Sequence, residues 1–226
     1  MYKNKFISAI ITAAGSGSRM GAGIPKLELE ISGKSIIEIT ISKILSANIF
    51  DEIILVTSDE LLHIYEERFS HIEILKIVKG GDSREESNYF GIKATDSNAD
   101  IIFCHDGARP NVDMDLILKS VDAAIINGAA IVAVKAKDTI KYIDNGFVES
   151  TLDRNKLYQV QTPQVFKAEL IRNAYNENFG NIVATDDSSF VEALGHKVSI
   201  VEGSYDNFKI TTMIDYLLMK MLMEEI

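Results

Sequence analysis

The stretch Phe6-Ile-Ser-Ala-Ile-Ile-Thr-Ala-Ala14, followed directly by Gly15-Ser-Gly-Ser-Arg19, decides how the rest of the chain is interpreted. Two lysines precede the apolar run and give it a loose likeness to a secretory signal peptide. Ser8 and Thr12 interrupt the run, however, and a short apolar segment that ends in glycines is typical of a buried β-strand. We therefore predict a first strand over residues 6–13 that leads into a glycine-rich loop.

Further short apolar runs alternate with segments of helical periodicity. The runs are rich in Ile and Val and apolar on both faces, as in a sheet covered by helices on both sides. They cover residues 52–57, 72–78, 101–104 and 129–134, and helical periodicity covers residues 35–48, 83–95 and 113–127. Ser35 with Glu38, and Ser83 with Glu86, have the spacing of a capping box. The alternation predicts an α/β fold with a mostly parallel central sheet flanked by helices.

Two regions depart from this alternation. Residues 136–156 contain two strand-like pieces joined by Asp144-Asn145-Gly146, and Asn-Gly favours a tight hairpin because both residues tolerate positive φ. Such a projecting hairpin arm is suited to clasp a second subunit, although a plain edge hairpin has the same pattern. Residues 211–226 form an apolar, methionine-rich segment that we expect to be a helix packed in the core or an interface. Without repeats or linkers, residues 1–226 are predicted to form a single domain.

The composition excludes several classes of protein. The 226 residues include 23 basic and 33 acidic side chains, and the formal charge of −10 disfavours binding to nucleic acid. One cysteine cannot form an internal disulfide, and no Cys/His spacing matches a structural zinc site. No uncharged apolar run approaches the roughly 18 residues of a membrane span. We therefore expect a soluble, cytoplasmic protein that binds neither nucleic acid nor a membrane.

The loop after the first strand is the leading candidate for a ligand site. Ligands of open α/β sheets bind at the carboxyl ends of strands, and a glycine-rich backbone can turn N–H groups toward an anion. Arg19 and Lys26 add two cations suited to a di- or triphosphate. The dinucleotide-binding pattern is not met, because Met20 stands where its third glycine is required. Gly33-Lys34-Ser35 does not end a P-loop, because Glu28 occupies the position of its first glycine.

Two other literal matches have simpler explanations. Asp113-Met114-Asp115 spells a metal motif of many glycosyltransferases, but it opens a predicted helix, where aspartate is a common N-cap. Cys104-His105 could suggest a nucleophile with its base, but adjacent residues of a strand point to opposite faces. We therefore predict that Asp113 is a helix cap and that Cys104 lies in the core.

Short blocks of sequence follow one another along nearly the whole chain. They are Ala13-Ala-Gly-Ser-Gly-Ser-Arg-Met20 with Pro25-Lys26, Gly80-Gly-Asp-Ser-Arg-Glu-Glu-Ser87, His105-Asp-Gly-Ala-Arg-Pro110, Thr151-Leu-Asp-Arg154 with Gln161-Thr-Pro-Gln-Val-Phe166, Thr185-Asp-Asp-Ser-Ser189, and Lys209-Ile-Thr-Thr212. In this order they resemble the sugar-phosphate cytidylyltransferase family, and the resemblance implies a Rossmann-like nucleotidyltransferase fold. Two departures are small. Gly107 stands where alanine is commoner, and Met213 stands where proline often follows the last block.

The resemblance implies transfer of CMP from CTP to a sugar or polyol phosphate, with release of pyrophosphate. The blocks at 151–154 and 185–189 favour 2-C-methyl-D-erythritol 4-phosphate as the acceptor, which would place the reaction in non-mevalonate isoprenoid biosynthesis. Ribitol 5-phosphate or another polyol phosphate is the alternative. A nucleotide-binding paralogue without catalytic activity is a more remote one.

The resemblance also implies roles for individual residues. Those expected to bind the nucleotide are Ala13, Ala14, Gly15, Ser16, Gly17, Gly81, Asp82, Ser87, Asp106 and Gly107. Those expected to bind the acceptor are Asp106, Arg109, Thr139, Arg154, Thr185 and Lys209. The expected catalytic residues are Arg19, Lys26, Arg154 and Lys209. Asp106 is the candidate ligand of a Mg²⁺ cofactor. Arg84 stands in the block at 80–87 that the resemblance assigns to reading the base, but it could equally be a solvated cation in the first turn of its helix. The family's arm reaches a neighbouring subunit, so the resemblance implies a homodimer with shared sites.

Overall fold

The computed structural model describes residues 1–15 and 25–224. The strands are β1 (Ile7–Ala13), β2 (Glu30–Ile31), β3 (Lys34–Ser35), β4 (Glu52–Thr57), β5 (Leu75–Lys79), β6 (Ile101–Asp106), β7 (Ala129–Lys135), β8 (Lys141–Asp144), β9 (Phe147–Thr151), β10 (Tyr158–Lys167) and β11 (Ser199–Glu202). The helices are α1 (Ile36–Ser46), α2 (Asp59–Arg68), α3 (Arg84–Ala94), α4 (Met114–Asn127), α5 (Ala168–Asn178), α6 (Asp187–Ala193) and α7 (Met213–Glu224). Short 3₁₀ helices cover Lys26–Glu28 and Arg154–Lys156.

A seven-stranded sheet organises the molecule, with the strand order β11-β7-β10-β6-β1-β4-β5. Strand β10 is antiparallel to both of its neighbours, and the other neighbouring strands are parallel. The predicted α/β fold with a mostly parallel sheet is therefore confirmed. Because β1, β4, β5 and β6 run in the same direction, their carboxyl ends meet at one edge of the sheet.

Helices cover both faces of the sheet, as the apolar strands require. Strand β1 shows this, because successive side chains of a strand point to opposite faces. Ile11 packs in a cluster with residues of α1, α2 and α4, whereas Ile10 packs in a second cluster with residues of α3, α5 and α6. All seven residues of β1 are buried or nearly so. The first strand is thus a central core strand.

The predicted helix starts are confirmed by their caps. The Oγ of Ser35 accepts from the backbone N–H of Glu38, and the Glu38 carboxylate accepts from the N–H of Ser35, so this capping box is complete. The Oγ of Ser83 likewise accepts from the N–H of Glu86. The Glu86 carboxylate, however, accepts from the N–H of Asp82, one residue earlier than a capping box requires. Asp113 is the N-cap of α4, as predicted.

Some boundaries differ from the prediction. The strand predicted over 72–78 begins at Leu75, because residues 69–75 first form turns in which Ile72 and Leu75 donate to Phe69 and Ile72. The strand predicted over 101–104 extends to Asp106, because its pairing with β1 continues to the Thr12–Asp106 register. Cys104 is buried in the core, as predicted.

Strands β8 and β9 form the predicted hairpin arm, a two-stranded sheet separate from the central one. Asn145 and Gly146 have φ values of 47° and 84°, as the Asn-Gly turn requires. Every residue of both strands is exposed, including Ile143, Phe147 and Val148. Within 1–15 and 25–224, no helix is both long and apolar enough to cross a membrane.

Candidate active site

The carboxyl ends of the central strands surround a cavity of about 440 Å³. Its walls come from the end of β1, the 3₁₀ turn after Pro25, the loop between β5 and α3, the end of β6 and the segment before α7. The lining residues are Thr12, Ala13, Ala14, Gly15, Lys26, Leu27, Gly81, Asp82, Ser83, Arg84, Ser87, Asp106, Ala108, Lys209 and Thr211. This is the edge of the sheet where open α/β folds bind ligands.

Most residues predicted to bind the nucleotide line this cavity. They are Ala13, Ala14, Gly15, Gly81, Asp82, Ser87 and Asp106. Gly107 lies just behind the wall, where its N–H donates to the carbonyl of Thr12 at 2.9 Å. Ser16, Gly17 and Arg19 lie outside the described residues. Of the predicted catalytic residues, Lys26 and Lys209 line the cavity although they come from opposite ends of the chain.

The loop before α3 reaches the cavity only because it contains glycine. A Cβ built on Gly80 would lie 2.6 Å from the Cβ of Ala14 and 2.8 Å from the Oγ of Ser87. The N–H of Gly81 donates to Ser87 Oγ at 3.1 Å, and Ser87 Oγ donates to the carbonyl of Ser83 at 2.8 Å. Ser87 therefore holds the loop against the first turn of α3.

Three cations surround the carboxylate of Asp106. Lys209 Nζ lies 3.1 Å from Oδ1, Arg109 Nε lies 3.2 Å from Oδ2, and Arg84 Nε lies 3.8 Å from Oδ1. Burial by itself would raise the pKa of Asp106, but the charges of Lys209, Arg109 and Arg84 outweigh it and hold the pKa below its usual range. The cluster is therefore a fixed ionised centre with more positive than negative charge. Arg84 belongs to this cluster. It is therefore not a solvated surface cation, which was the other interpretation of its place in the first turn of α3.

A hydrogen-bonded chain beneath Asp106 fixes its backbone. The N–H of Asp106 donates to Thr162 Oγ1 at 3.0 Å, and Thr162 in turn donates to Nδ1 of His105 at 3.1 Å. His105 Nε2 lies 3.1 Å from the carbonyl of Arg109, which can only accept, so we assign the proton to Nε2. Burial lowers the pKa of His105 to about 4, so the ring is neutral at pH 7. Sequence reasoning missed this role of Thr162, although Thr162 stands in one of the recognised blocks.

The segment that carries Lys26 is anchored from helix α2. Glu28 accepts from both Nη atoms of Arg68, at 3.1 and 2.8 Å, and from the hydroxyl of Tyr65 at 2.7 Å. Leu27, between Lys26 and Glu28, is buried in the core. The position of the Lys26 backbone is therefore set by contacts on both sides of the 3₁₀ turn.

The residues predicted to bind the acceptor are brought together only in part. Asp106 and Lys209 line the cavity, and Arg109 touches Asp106 from the protein interior while donating to the carbonyl of Asn207 at 2.9 Å. The remaining three are exposed: Thr139 and Arg154 lie at the base of the arm, and Thr185 precedes helix α6. Arg154 donates to the carbonyl of Lys137 at 2.8 Å. The cavity of one chain therefore lacks these three residues among those that the structure describes.

The donor set of the cavity bears on the expected Mg²⁺. The described residues contain no group of three or more His, Cys, Asp or Glu side chains that could hold a metal ion. The carboxylates that line the cavity are Asp82 and Asp106. Mg²⁺ commonly uses one or two carboxylates together with substrate phosphates and water, so the cavity fits a metal that arrives with a polyphosphate. Because both carboxylate oxygens of Asp106 already face cations, the cavity does not favour a Mg²⁺ site in which every ligand comes from the protein.

Comparison with known proteins agrees with this geometry. The family model "IspD: 2-C-methyl-D-erythritol 4-phosphate cytidylyltransferase" matches residues 7–225. A relative of that name from Caldanaerobacter subterraneus subsp. tengcongensis is 43% identical over 215 residues, which cover 91% of this chain and 93% of the relative. The crystal structure of 4-diphosphocytidyl-2C-methyl-D-erythritol synthase from Anaerococcus prevotii superposes with a TM-score of 0.88 at 37% identity, covering 97% of this chain and 99% of that one. The structure of the Thermus thermophilus cytidylyltransferase gives a TM-score of 0.79 at 27% identity, with the same coverage.

Proposed function

The chain belongs to the 2-C-methyl-D-erythritol 4-phosphate cytidylyltransferase family, and from this premise we propose how its residues carry out the reaction. The enzyme transfers CMP from CTP to 2-C-methyl-D-erythritol 4-phosphate, which gives 4-diphosphocytidyl-2-C-methyl-D-erythritol and pyrophosphate in isoprenoid biosynthesis. An oxygen of the acceptor phosphate attacks the α-phosphorus of CTP, and the bond from that phosphorus to the β-phosphate oxygen breaks. Both reactants are anions, so the protein must chiefly neutralise charge and align them.

The observation that carries the site assignment is that Lys26 and Lys209 reach one cavity from opposite ends of the chain. We place the triphosphate of CTP at the end of β1, with Lys26, and with Arg19 from the loop, as its cations. Lys26 is then positioned to stabilise the charge that develops at the α-phosphorus.

The cytosine is assigned to the loop formed by Gly81, Asp82 and Ser87. Ser87 Oγ donates once and accepts once within the protein, so one lone pair is left to accept from an amino group such as that of cytosine. Gly80 lets this loop lie close to Ala14, and we assign to the loop the selection of a pyrimidine over a larger purine.

The acceptor phosphate is assigned to the other side of Asp106, beside Lys209 and Arg109. Lys209 lies partly exposed beside Asp106 and can contact a phosphate without leaving it. Thr139, Arg154 and Thr185 are also assigned to the acceptor, with Arg154 stabilising charge during transfer. In this assignment Thr139 and Arg154 come from the arm of a second protomer, so each site is shared in a homodimer.

The exposed arm supports the homodimer. Ile143 and Val148 are exposed cross-strand neighbours on one face of the hairpin, and Phe147, 79% exposed, is paired with Asp144 on the other face. A hairpin that exposes large apolar side chains on both faces is suited to be covered by a partner. A homodimer also supplies the two arm residues that the cavity of one chain lacks.

Mg²⁺ is proposed as the cofactor, bound with CTP and held mainly by phosphate oxygens, with Asp106 as the candidate protein carboxylate. When bound it would neutralise charge on the phosphates. The chain's own contribution is to keep Asp106 ionised through Lys209, Arg109 and Arg84 and to hold its backbone through Thr162. A cytoplasmic location is likewise proposed, consistent with the single buried cysteine.

Pyrophosphate release tests this proposal. With CTP and Mg²⁺ we expect release with 2-C-methyl-D-erythritol 4-phosphate and not with ribitol 5-phosphate. Lys26→Ala should lower kcat by about 100- to 1000-fold, the usual effect of removing one donor to transition-state charge. Lys119→Ala is the control, because Lys119 is an exposed lysine of α4 that pairs with Asp115.

The fold of Lys26→Ala should be intact by circular dichroism, since its neighbours Leu27 and Glu28 hold the segment. Near-normal turnover of Lys26→Ala would refute the placement of the triphosphate. Equal turnover with ribitol 5-phosphate would refute the acceptor assignment.

A further inference from the structure

A buried carboxylate outside the cavity is bonded to one of the cavity's cations. Asp187, the first residue of α6, has no exposed surface and accepts from three side chains. Arg84 Nη2 lies 3.1 Å from its Oδ2, while Asn88 Nδ2 and the hydroxyl of Tyr175 each lie 2.6 Å from its Oδ1. All three partners are donors, so an ionised carboxylate satisfies them, whereas an amide would direct N–H groups at one of them.

The contact fixes the direction of the Arg84 side chain. Arg84 is the first residue of α3 and lines the cavity, with its Nη2 3.1 Å from Asp187 Oδ2 and its Nε 3.8 Å from Asp106 Oδ1. Burial would lower the pKa of Arg84, but the charges of Asp187 and Asp106 raise it, so the side chain stays charged. A guanidinium that donates to a buried carboxylate presents its remaining N–H groups in one orientation, because the group is planar.

A second branch connects Asp187 to the end of β1. Asn88 donates to Asp187 and accepts from Thr12 Oγ1 at 2.7 Å. Thr12 lines the cavity directly before the glycine-rich loop. One buried carboxylate thus orients cavity-lining residues on both α3 and β1.

We propose that Asp187 is a positioning residue of the transfer reaction, which acts by holding the guanidinium of Arg84 where the phosphates bind. The proposal rests on the placement of CTP and acceptor phosphates in this cavity. Arg84 is the group that touches the substrates, and Asp187 acts through it. Through the buried side chain of Asp187, the recognised block at 185–189 contributes to the site from the protein interior.

A double-mutant cycle tests the proposal in the full-length enzyme. Asp187→Asn should lower kcat/KM by up to about 100-fold, the effect of displacing a positioning group by about 1 Å. Arg84→Ala should lower it by at least as much. In the Arg84→Ala background, Asp187→Asn should cause a much smaller loss, because only the branch through Asn88 to Thr12 is left for it to disturb.

Glu52→Gln provides a matched control. Glu52 is a buried carboxylate at the amino end of β4, at the opposite edge of the sheet. It also accepts from three donors, Ser8 Oγ and Asp96 N at 2.6 Å and Lys76 Nζ at 2.8 Å. We expect both carboxylate-to-amide changes to lower the melting temperature, and only Asp187→Asn to lower kcat/KM.

Four results would overturn the proposal: unchanged kcat/KM in Arg84→Ala, unchanged kcat/KM in Asp187→Asn, a loss in Glu52→Gln as large as that in Asp187→Asn, or equal losses from Asp187→Asn in the presence and absence of Arg84. If Asp187→Asn does not fold, Tyr175→Phe takes its place in the cycle, since it withdraws one donor from the same carboxylate. Lys26→Ala separates this proposal from the proposed function. Full activity in Lys26→Ala would refute the placement of the substrates, whereas full activity in Arg84→Ala alone would refute only the role of Asp187.

Discussion

At the scale of single residues, the site is built around a carboxylate that faces its own cations. Asp106 keeps Lys209, Arg109 and Arg84 close to one another, although their like charges would otherwise separate them. A site arranged before substrate binds needs little reorganisation when charge develops. Asp106 therefore holds these three cations in place, however many phosphate oxygens of the substrates bind the metal.

His105 makes stability depend on pH. Its pKa is about 4 in the folded protein because of burial, against 6.5 as the ordinary value. As the pH falls from 6.5 to 4, protons bind the unfolded chain at this position and not the folded one, so stability is lost. His105→Gln keeps a hydrogen-bond donor and does not titrate.

We expect the wild type to lose about 3 kcal/mol more unfolding free energy than His105→Gln between pH 7 and pH 4. Urea denaturation at both pH values measures this difference, and other titrating groups cancel because both proteins contain them. If both proteins lose the same unfolding free energy between pH 7 and pH 4, His105 binds a proton in the folded state as readily as in the unfolded state, and the prediction is contradicted.

The recognised blocks indicated some of the residues that meet at the cavity, while Arg154 and Thr185 from the same blocks lie outside it in one chain. Lys26, Lys209 and Asp106 line one cavity, as their shared role implied. The supporting contacts of Thr162 and Asp187 were not predicted, because they depend on where β10 and α6 pack. Their presence in the blocks at 161–166 and 185–189 was the available signal.

At the scale of elements, helix α3 joins the site to the core. Its first turn carries Arg84, and Gly91 lets the rest of the helix lie close to the sheet. A Cβ built on Gly91 would lie 2.7 Å from Ile10 Cγ2 and 2.9 Å from Val56 Cγ2. The methyl groups of these buried, β-branched residues cannot easily move aside.

Gly91→Ala should therefore destabilise the protein, although alanine favours helix. Overpacking of a core costs about 1–3 kcal/mol, which exceeds the gain in helix propensity of up to about 1 kcal/mol. Chemical denaturation measures the change in the free energy of unfolding. A variant as stable as the wild type, or more so, would contradict the close packing of α3 on β1 and β4.

Elements with local signals were predictable, and elements defined by distant contacts were not. The caps at Ser35, Ser83 and Asp113 and the turn at Asn145-Gly146 specify α1, α3, α4 and the arm. Strand β10 was missed because its first half is polar and interrupted by Pro163, and pairing with β6 and β7 makes it a strand. Helix α2 was missed because its mostly polar surface gives a weak periodic signal.

At the scale of the whole molecule, two elements of the described residues expose several apolar side chains each. One is the arm with Phe147, and the other is α7, where Met219 is buried while Ile214, Leu217 and Met221 are exposed. The helix predicted over 211–226 is thus only partly in the core. The arm is the surface that the proposed homodimer requires.

Phe147→Glu tests the arm as the dimer contact. It would bury an unpaired charge in the interface, so we expect a monomer at concentrations where the wild type is a dimer, together with a higher KM for the acceptor. Ile126→Glu on α4 is the control, because Ile126 is 78% exposed and Phe147 79%. Analytical ultracentrifugation gives the masses. A Phe147→Glu dimer, or dissociation of both variants alike, would contradict the role of the arm.

Complementation between two inactive variants tests the central claim, that each active site joins the cavity of one protomer to the arm of another. Lys26→Ala damages the cavity and Arg154→Ala damages the arm, where it should weaken acceptor binding and leave CTP binding intact. In a mixed dimer one site carries both changes and the other carries neither. After subunit exchange, demonstrated by mass spectrometry, we expect recovery of about a quarter of wild-type activity, since half of the dimers are mixed and each has one intact site. No recovery in a mixture shown to contain mixed dimers would contradict the shared site.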